Sequence, residues 1–211
     1  MSSELQNLVM IGASAGGPRV LREIFDGMPR LNAGVVLVQH MPGFIAGLMI
    51  KKIGQNSGMR FRIAENGDAL ENGSVYLAPC GVHLELEKNH LVRLSRRDKV
   101  NYVCPSVDVA MRSLEAAPDV FPVGVLLTGM GNDGVYGMIH IKNLNGVTIA
   151  QDEKSCAIFG MPKEAISTGR VDWVLNPAQI RDKLIELVGT LPEARPVPDL
   201  RPEAAEAAGS A

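Results

Sequence analysis

Short unbroken apolar runs alternate along the chain with longer stretches in which apolar residues recur every three or four positions. Residues 8–11, Leu-Val-Met-Ile, predict a first strand. It runs into Gly12-Ala13-Ser14-Ala15-Gly16-Gly17 and then into a helix. Pro18 suits the first turn of that helix, where its missing N–H is no loss. Val20, Leu21, Ile24 and Phe25 give the helix one apolar face, and Gly27 and Pro29 end it. Residues 34–39 predict a second strand. Its continuous apolar run implies burial on both faces, the mark of a parallel sheet covered by helices. A helix from about Phe44 to Ile53 and a short strand over residues 60–64 come next.

Residues 74–94 break this rhythm. Val75-Tyr76-Leu77 reads as a short strand. Val82, Leu84 and Leu86 alternate with polar neighbours, and His90-Leu91-Val92-Arg93-Leu94 comes after Lys88-Asn89, which predicts a β-hairpin excursion. A helix is expected over residues 106–116, with Ser106 as its cap. Further strands are expected at 122–128, 147–150 and 171–175, and further helices at 133–144, 162–167 and 177–188, the last capped by Asn176. This alternation predicts an α/β fold: a doubly wound, mostly parallel sheet with helices on both faces. One folded domain is expected over residues 1–190. Pro192, Pro196, Pro198 and Pro202 then lead into an Ala/Glu-rich end, so residues 191–211 are expected to form a disordered tail.

Composition narrows the class. The chain has 211 residues, 46% hydrophobic and 21% charged, ordinary for a globular protein that needs no disulfide or structural metal. A net charge of -2 gives no general attraction to nucleic acid or anionic lipid. The local exception is Arg93, Arg96, Arg97 and Lys99, read as a solvated loop. Cys80, Cys104 and Cys156 form no C-x-x-C pair, which fits reduced thiols in a cytosolic protein. The polar residues 1–8 hold no signal-peptide core, and no apolar run approaches the roughly 20 residues of a membrane span. A cytoplasmic protein without membrane insertion is expected.

Gly12-Ala13-Ser14-Ala15-Gly16 fits G-x-S-x-G, the pattern of a nucleophilic serine on a sharp strand-to-helix turn. Glycines on both sides let the backbone turn, and the N–H groups opening the next helix point at a developing oxyanion. The same pattern also fits a glycine-rich turn with an N-capping serine. The spacing does not match G-x-G-x-x-G, and no Gly-Lys-Ser/Thr comes after it, so a Walker A loop is excluded. A serine needs a base. Of His40, His83, His90 and His140, only His40 directly succeeds a predicted sheet strand, at the carboxyl edge that also carries Ser14. In open α/β sheets the functional crevice lies at that edge. A third strand ends in Gly129-Met130-Gly131-Asn132-Asp133-Gly134, which brings Asp133 there as an orienting acid or, alternatively, as a helix cap.

These segments resemble the catalytic domain of the CheB-type chemotaxis protein-glutamate methylesterases. The resemblance rests on Ile11-Gly12-Ala13-Ser14-Ala15-Gly16-Gly17, Gln39-His40-Met41-Pro42 and Leu127-Thr128-Gly129-Met130-Gly131-Asn132-Asp133-Gly134. Tyr76-Leu77-Ala78-Pro79, Pro105-Ser106-Val107-Asp108 and Ser155-Cys156-Ala157-Ile158-Phe159-Gly160-Met161-Pro162 extend it over residues 8–188. The resemblance implies hydrolysis of methyl esters on receptor glutamates and deamidation of receptor glutamines. Ser14 is then similar to the nucleophile, His40 to the general base and acid, and Asp133 to the orienting carboxylate. The backbone N–H groups of Met130 and Ala15 are similar to the oxyanion donors. No metal or organic cofactor is implied. The implied partners are methylated chemoreceptor-type proteins and a separate receiver or adaptor protein. Three departures border the cleft: Ala15 stands where a threonine is usual, Cys104 where a basic residue is common, and Gly43 where a second proline is usual. The receiver domain that usually precedes such a domain is not expected within these residues, whether the chain stands alone or is a piece of a longer protein, which leaves control by phosphorylation open. A hydrolase of the same type acting on another ester or amide, and an idle receptor-docking module, are the competing readings.

Overall fold

The computed structural model describes residues 5–192 apart from Pro118. A seven-stranded parallel sheet is built from β1 (Asn7–Ala13), β2 (Gly34–Gln39), β3 (Arg60–Ile63) and β4 (Ser74–Leu77). The hairpin β5 (His83–Leu86) and β6 (Val92–Ser95) then leaves the sheet, and β7 (Phe121–Leu126), β8 (Val147–Gln151) and β9 (Trp173–Leu175) complete it. The spatial order is β3-β4-β2-β1-β7-β8-β9. Chain direction across the sheet therefore reverses at β1, with β2 on one side and β7 on the other. That reversal opens a crevice at the carboxyl ends of these strands.

Side chains alternate between the two faces with the period of a strand. Val9, Ile11 and Ala13 join Val35, Leu37, Val123 and Val125 in one core, while Leu8 and Met10 join Val36, Val38 and Leu126 in the other. The first core is covered by α1 (Gly17–Phe25), α2 (Ala46–Ile53) and α6 (Pro177–Val188). The second is covered by α3 (Val107–Arg112), α4 (Val135–Asn143) and α5 (Met161–Ser167). Both faces are apolar, which is why β1 and β2 read as unbroken hydrophobic runs. On α1, Leu21, Ile24 and Phe25 are fully buried, each contributing about 1.5–3 kcal/mol. Asn176 and Gln179 form a reciprocal capping box at the start of α6.

Local differences from the sequence expectation have local causes. A 3-10 turn, Gly43–Ile45, precedes α2. α3 ends at Arg112, because the Ser113 hydroxyl donates to the Ala110 carbonyl (2.7 Å) and accepts the Leu86 N–H (2.8 Å). α4 begins only at Val135, and its cap is Gly134 with φ 97°. The last strand starts at Trp173, after the Asp172 carboxylate has taken the Thr148 N–H at 2.9 Å. The hairpin β5–β6 packs on α3 from outside. Arg93 and Arg97 both reach Glu85, so part of the basic cluster is pinned to β5. The Leu191 N–H donates to Arg30 O at 2.7 Å; residues 193–211 of the expected tail lie outside the described residues.

Gly12, opposite Leu126 in the β1–β7 register, shows how tightly α3 sits on the sheet. A Cβ there would come within 2.5 Å of Val107 Cγ1 and 2.9 Å of Leu126 Cδ1. Gly12→Ala should therefore destabilise the domain by about 1–3 kcal/mol through overpacking. The urea midpoint measures this, and an unchanged midpoint would contradict the close contact.

Candidate active site

Ser14 and His40 leave adjacent strands side by side. Ala13 pairs with Gln39 in the β1–β2 register, and the His40 N–H donates to Ala13 O at 3.0 Å. The Ser14 N–H donates to Thr128 O at 3.0 Å, which ties it to the end of β7 as well. Its carbonyl accepts the Gly17 N–H (2.9 Å) and Gln39 Nε2 (2.9 Å). Ser14 is not a helix cap: the residue capping α1 is Gly16, with φ 84° and no side-chain cap. Among the described residues the Ser14 hydroxyl makes no hydrogen bond, so it stands open at the crevice. Bonds from such a hydroxyl to its base are often long or absent until substrate arrives.

The turn after β7 closes over Ser14. Thr128 is fully buried. Its N–H donates to Gln151 Oε1 (2.8 Å), and its Oγ1 donates to Ala15 O (2.9 Å) while accepting the Ile158 N–H (3.0 Å). Gly129 packs directly on the serine, since a Cβ there would lie 2.6 Å from Ser14 Cβ and 2.3 Å from Met161 Sδ. The Gly129 N–H donates to Ile158 O (3.0 Å), and its carbonyl accepts from Gly160 (3.1 Å) and Met161 (2.8 Å). Met130 comes next, with its side chain in solvent. Among the described residues the N–H groups of Met130 and Ala15 are not taken up by any acceptor.

Asp133 is turned away from its own helix toward His40 and α3. His40 Nε2 lies 3.0 Å from Asp133 Oδ2, with the two side chains 12% and 4% exposed. Oδ2 also accepts the Val107 N–H (2.7 Å). Oδ1 accepts from Ser106 Oγ (2.6 Å), Asn101 Nδ2 (2.9 Å) and the Asp108 N–H (3.2 Å). Ser106 is thus both the expected cap, accepting the Val109 N–H, and a donor to Asp133. Burial alone pushes the Asp133 carboxyl up. The hydrogen bonds from His40, Ser106, Asn101 and Val107 outweigh burial and hold it below the ordinary carboxylate range.

The other histidines have structural partners or lie elsewhere. His83 is fully buried; its Nδ1 accepts the Ser106 N–H (3.2 Å) and its Nε2 faces Asp98 O (3.1 Å). The Asp98 carbonyl can only accept, so His83 carries its proton on Nε2. His140 Nε2 faces Leu114 O at 2.8 Å. His90 sits at the hairpin tip with φ 58°. Sequence reasoning missed Gln39 and Thr128. Gln39 is buried, and its Nε2 bridges Ser14 O and His40 O at 2.9 Å each. The one signal was a polar residue ending an otherwise apolar strand. No group of three or more His, Cys, Asp or Glu among the described residues is arranged to hold a metal. An open serine hydroxyl, an imidazole tied to a buried carboxylate, and two uncommitted backbone N–H groups are the parts that acyl transfer requires.

Comparison with known proteins identifies the family of the chain. The CheB methylesterase family model matches residues 9–184. A protein-glutamate methylesterase/protein-glutamine glutaminase from Pyrococcus horikoshii is 40% identical over 184 residues, which are 85% of this chain and 50% of that protein. Its counterpart from Pectobacterium atrosepticum is 38% identical over 188 residues, covering 88% and 53%. The chain thus spans about half the length of the curated relatives it matches. The crystal structure of the Thermotoga maritima CheB methylesterase catalytic domain superposes with a TM-score of 0.80 at 37% identity, covering 86% of this chain and 98% of that one. With its sheet order, its strand-end residues and these matches together, the chain belongs to the CheB methylesterase family.

Proposed function

We propose that this protein is a serine hydrolase that removes methyl groups from glutamate γ-methyl esters of chemoreceptor-type proteins and also deamidates glutamines on them. Ser14 is the nucleophile, His40 the general base and then acid, and Asp133 the carboxylate that orients His40. The observation that carries this reading is the 3.0 Å contact between His40 Nε2 and Asp133 Oδ2, beside the strand end that presents Ser14. With Nε2 engaged, Nδ1 is the ring nitrogen that takes the serine proton. Ser14 Oγ then bonds to the ester carbonyl carbon, and the carbonyl oxygen becomes an oxyanion facing the Met130 and Ala15 N–H groups. Collapse breaks the C–O bond to methoxide, which leaves as methanol with the proton from His40. Water, deprotonated by His40, attacks the acyl-serine and releases a glutamate side chain and the free hydroxyl. With an amide substrate, ammonia leaves in place of methanol.

The names of the matched relatives, protein-glutamate methylesterase/protein-glutamine glutaminase, support the ester and amide substrates, and the setting is chemotaxis adaptation. The partners are methylated receptors, with a receiver or adaptor protein as controller, and the setting is the cytoplasm. No helix among the described residues is long and apolar enough to cross a membrane. Residues 1–190 act as the catalytic domain.

Ser14→Ala should lower methanol release from a methylated receptor by at least about 10³-fold while leaving the fold intact. Release at the wild-type rate would sink the mechanism. Asp133 also links activity to acid stability. Its folded pKa is depressed, so its contribution is fully present above the unfolded value of about 3.9 and fades as pH falls through the folded one. Asp133→Asn should therefore cost stability at neutral pH, and the gap to wild type should narrow as pH falls below the unfolded value toward the depressed folded one. Thermal unfolding across pH 2–8 measures it; a constant gap at all pH values would rule out an ionised Asp133.

A further inference from the structure

Asn101 lies away from the three strand ends, at the tip of a two-residue turn. Val100 and Val103 pair across it in both directions, at 3.1 and 3.0 Å. Asn101 and Tyr102 both have positive φ, 53° and 66°. This is the mirror-image hairpin turn, whose left-handed positions asparagine tolerates and most residues do not. The turn sends the two side chains opposite ways. Tyr102 is almost wholly in solvent. Asn101 Nδ2 points inward and donates to Asp108 Oδ2 at 2.8 Å and to Asp133 Oδ1 at 2.9 Å. An amide NH2 has two hydrogens, so each carboxylate takes one.

Asp108 has no role in the proposed reaction, yet it is nearly fully buried. Its Oδ1 accepts the Gly137 N–H from α4 at 2.7 Å. Its own N–H donates to Asp133 Oδ1. Two buried carboxylates therefore share one donor group. Each raises the proton affinity of the other. Burial first, and then the charge of Asp133, push the Asp108 carboxyl up. The groups bonded to Asp133 are His40 from the end of β2, Ser106, Val107 and Asp108 from the start of α3, and Asn101 from the turn. Among the described residues neither carboxylate has a Lys or Arg partner, so no cation separates the two charges. The Asn101 amide is the group that does so.

We propose that Asn101 is a positioning residue: anchored on Asp108, its amide keeps Asp133 ionised and turned with Oδ2 toward His40. Its bearing on catalysis rests on the proposed role of Asp133, whereas its effect on the titration of Asp133 does not.

The test uses the full 211-residue chain and two variants. Asn101→Gly suits the positive φ and removes the side chain with its amide. Asn101→Asp keeps the shape and puts a third carboxylate where a donor stood. The Asp133 carboxyl is followed by 13C NMR from pH 2 to 8 and assigned by comparison with Asp133→Asn. Its midpoint should rise by about one pH unit in Asn101→Gly and further in Asn101→Asp. For a peptide carrying a glutamate γ-methyl ester, kcat should fall roughly tenfold in Asn101→Gly with KM near wild type. Its acid limb should move to higher pH, because the uncompensated pair binds its first proton more tightly. Midpoints within a few tenths of wild type in both folded variants would overturn the proposal. A wild-type chain that releases no methanol would instead sink the methylesterase reading, with the NMR titration still deciding the role of Asn101.

Discussion

A carboxylate sits where water scarcely reaches, and much of the surrounding structure is organised to keep it charged. An unpaired ion in such a place costs several kcal/mol, and a carboxyl group escapes that cost by taking up a proton. A protonated Asp133 would no longer attract a proton toward His40. The chain supplies donors from two places at once: the first turn of α3 and the turn that carries Asn101. This gives the hairpin β5–β6 a purpose. His83 on β5 holds the Ser106 N–H and faces Asp98 O, so the segment between them is fastened where its donors are needed.

The nucleophile side of the crevice obeys a different logic. Ser14 meets no charge. It is held by backbone, through the Thr128 carbonyl and the close approach of Gly129. The Thr128 hydroxyl fastens Ala15 to the segment carrying Ile158, so the turn after β1 and the turn after β7 form one rigid piece. Donors fixed before substrate arrives need no reorganisation during the reaction. The Gln39 amide then links this piece to the His40 carbonyl. One side of the site is thus set by packing and backbone bonds, the other by neutral donors around an anion.

The sequence made the first layer of this legible and hid the second. Unbroken runs such as Val35-Val36-Leu37-Val38 mark buried parallel strands, and strand ends locate Ser14, His40 and Asp133 on one edge. Helix ends were less legible. Ser113 stops α3 through a bond with Leu86, a partner far away in sequence. Asp133 reads equally well as a cap, but Gly134 caps α4 and the Asp133 carboxylate is taken up by His40 and the start of α3, partners distant in sequence. Thr128, Asn101 and Asp108 carry ordinary local meanings: a strand end, a turn residue, an acid in the first turn of a helix. What they do depends on partners that the fold alone brings near.

The pairing of β1 with its two neighbours has a consequence for how such a chain tolerates insertions and deletions. Ala13 lies opposite Gln39, and Gly12 opposite Leu126. Adding or removing one residue in these strands would move the strand end by about 3.3 Å and turn its side chains to the opposite face. Length is therefore fixed at the three strands whose ends meet at the crevice. At the β5–β6 tip, where His90 and Asn89 already take left-handed conformations beyond the sheet, added residues disturb no rung of it. Lineages descended from this chain should vary in length at that tip and hold it constant where the strands converge.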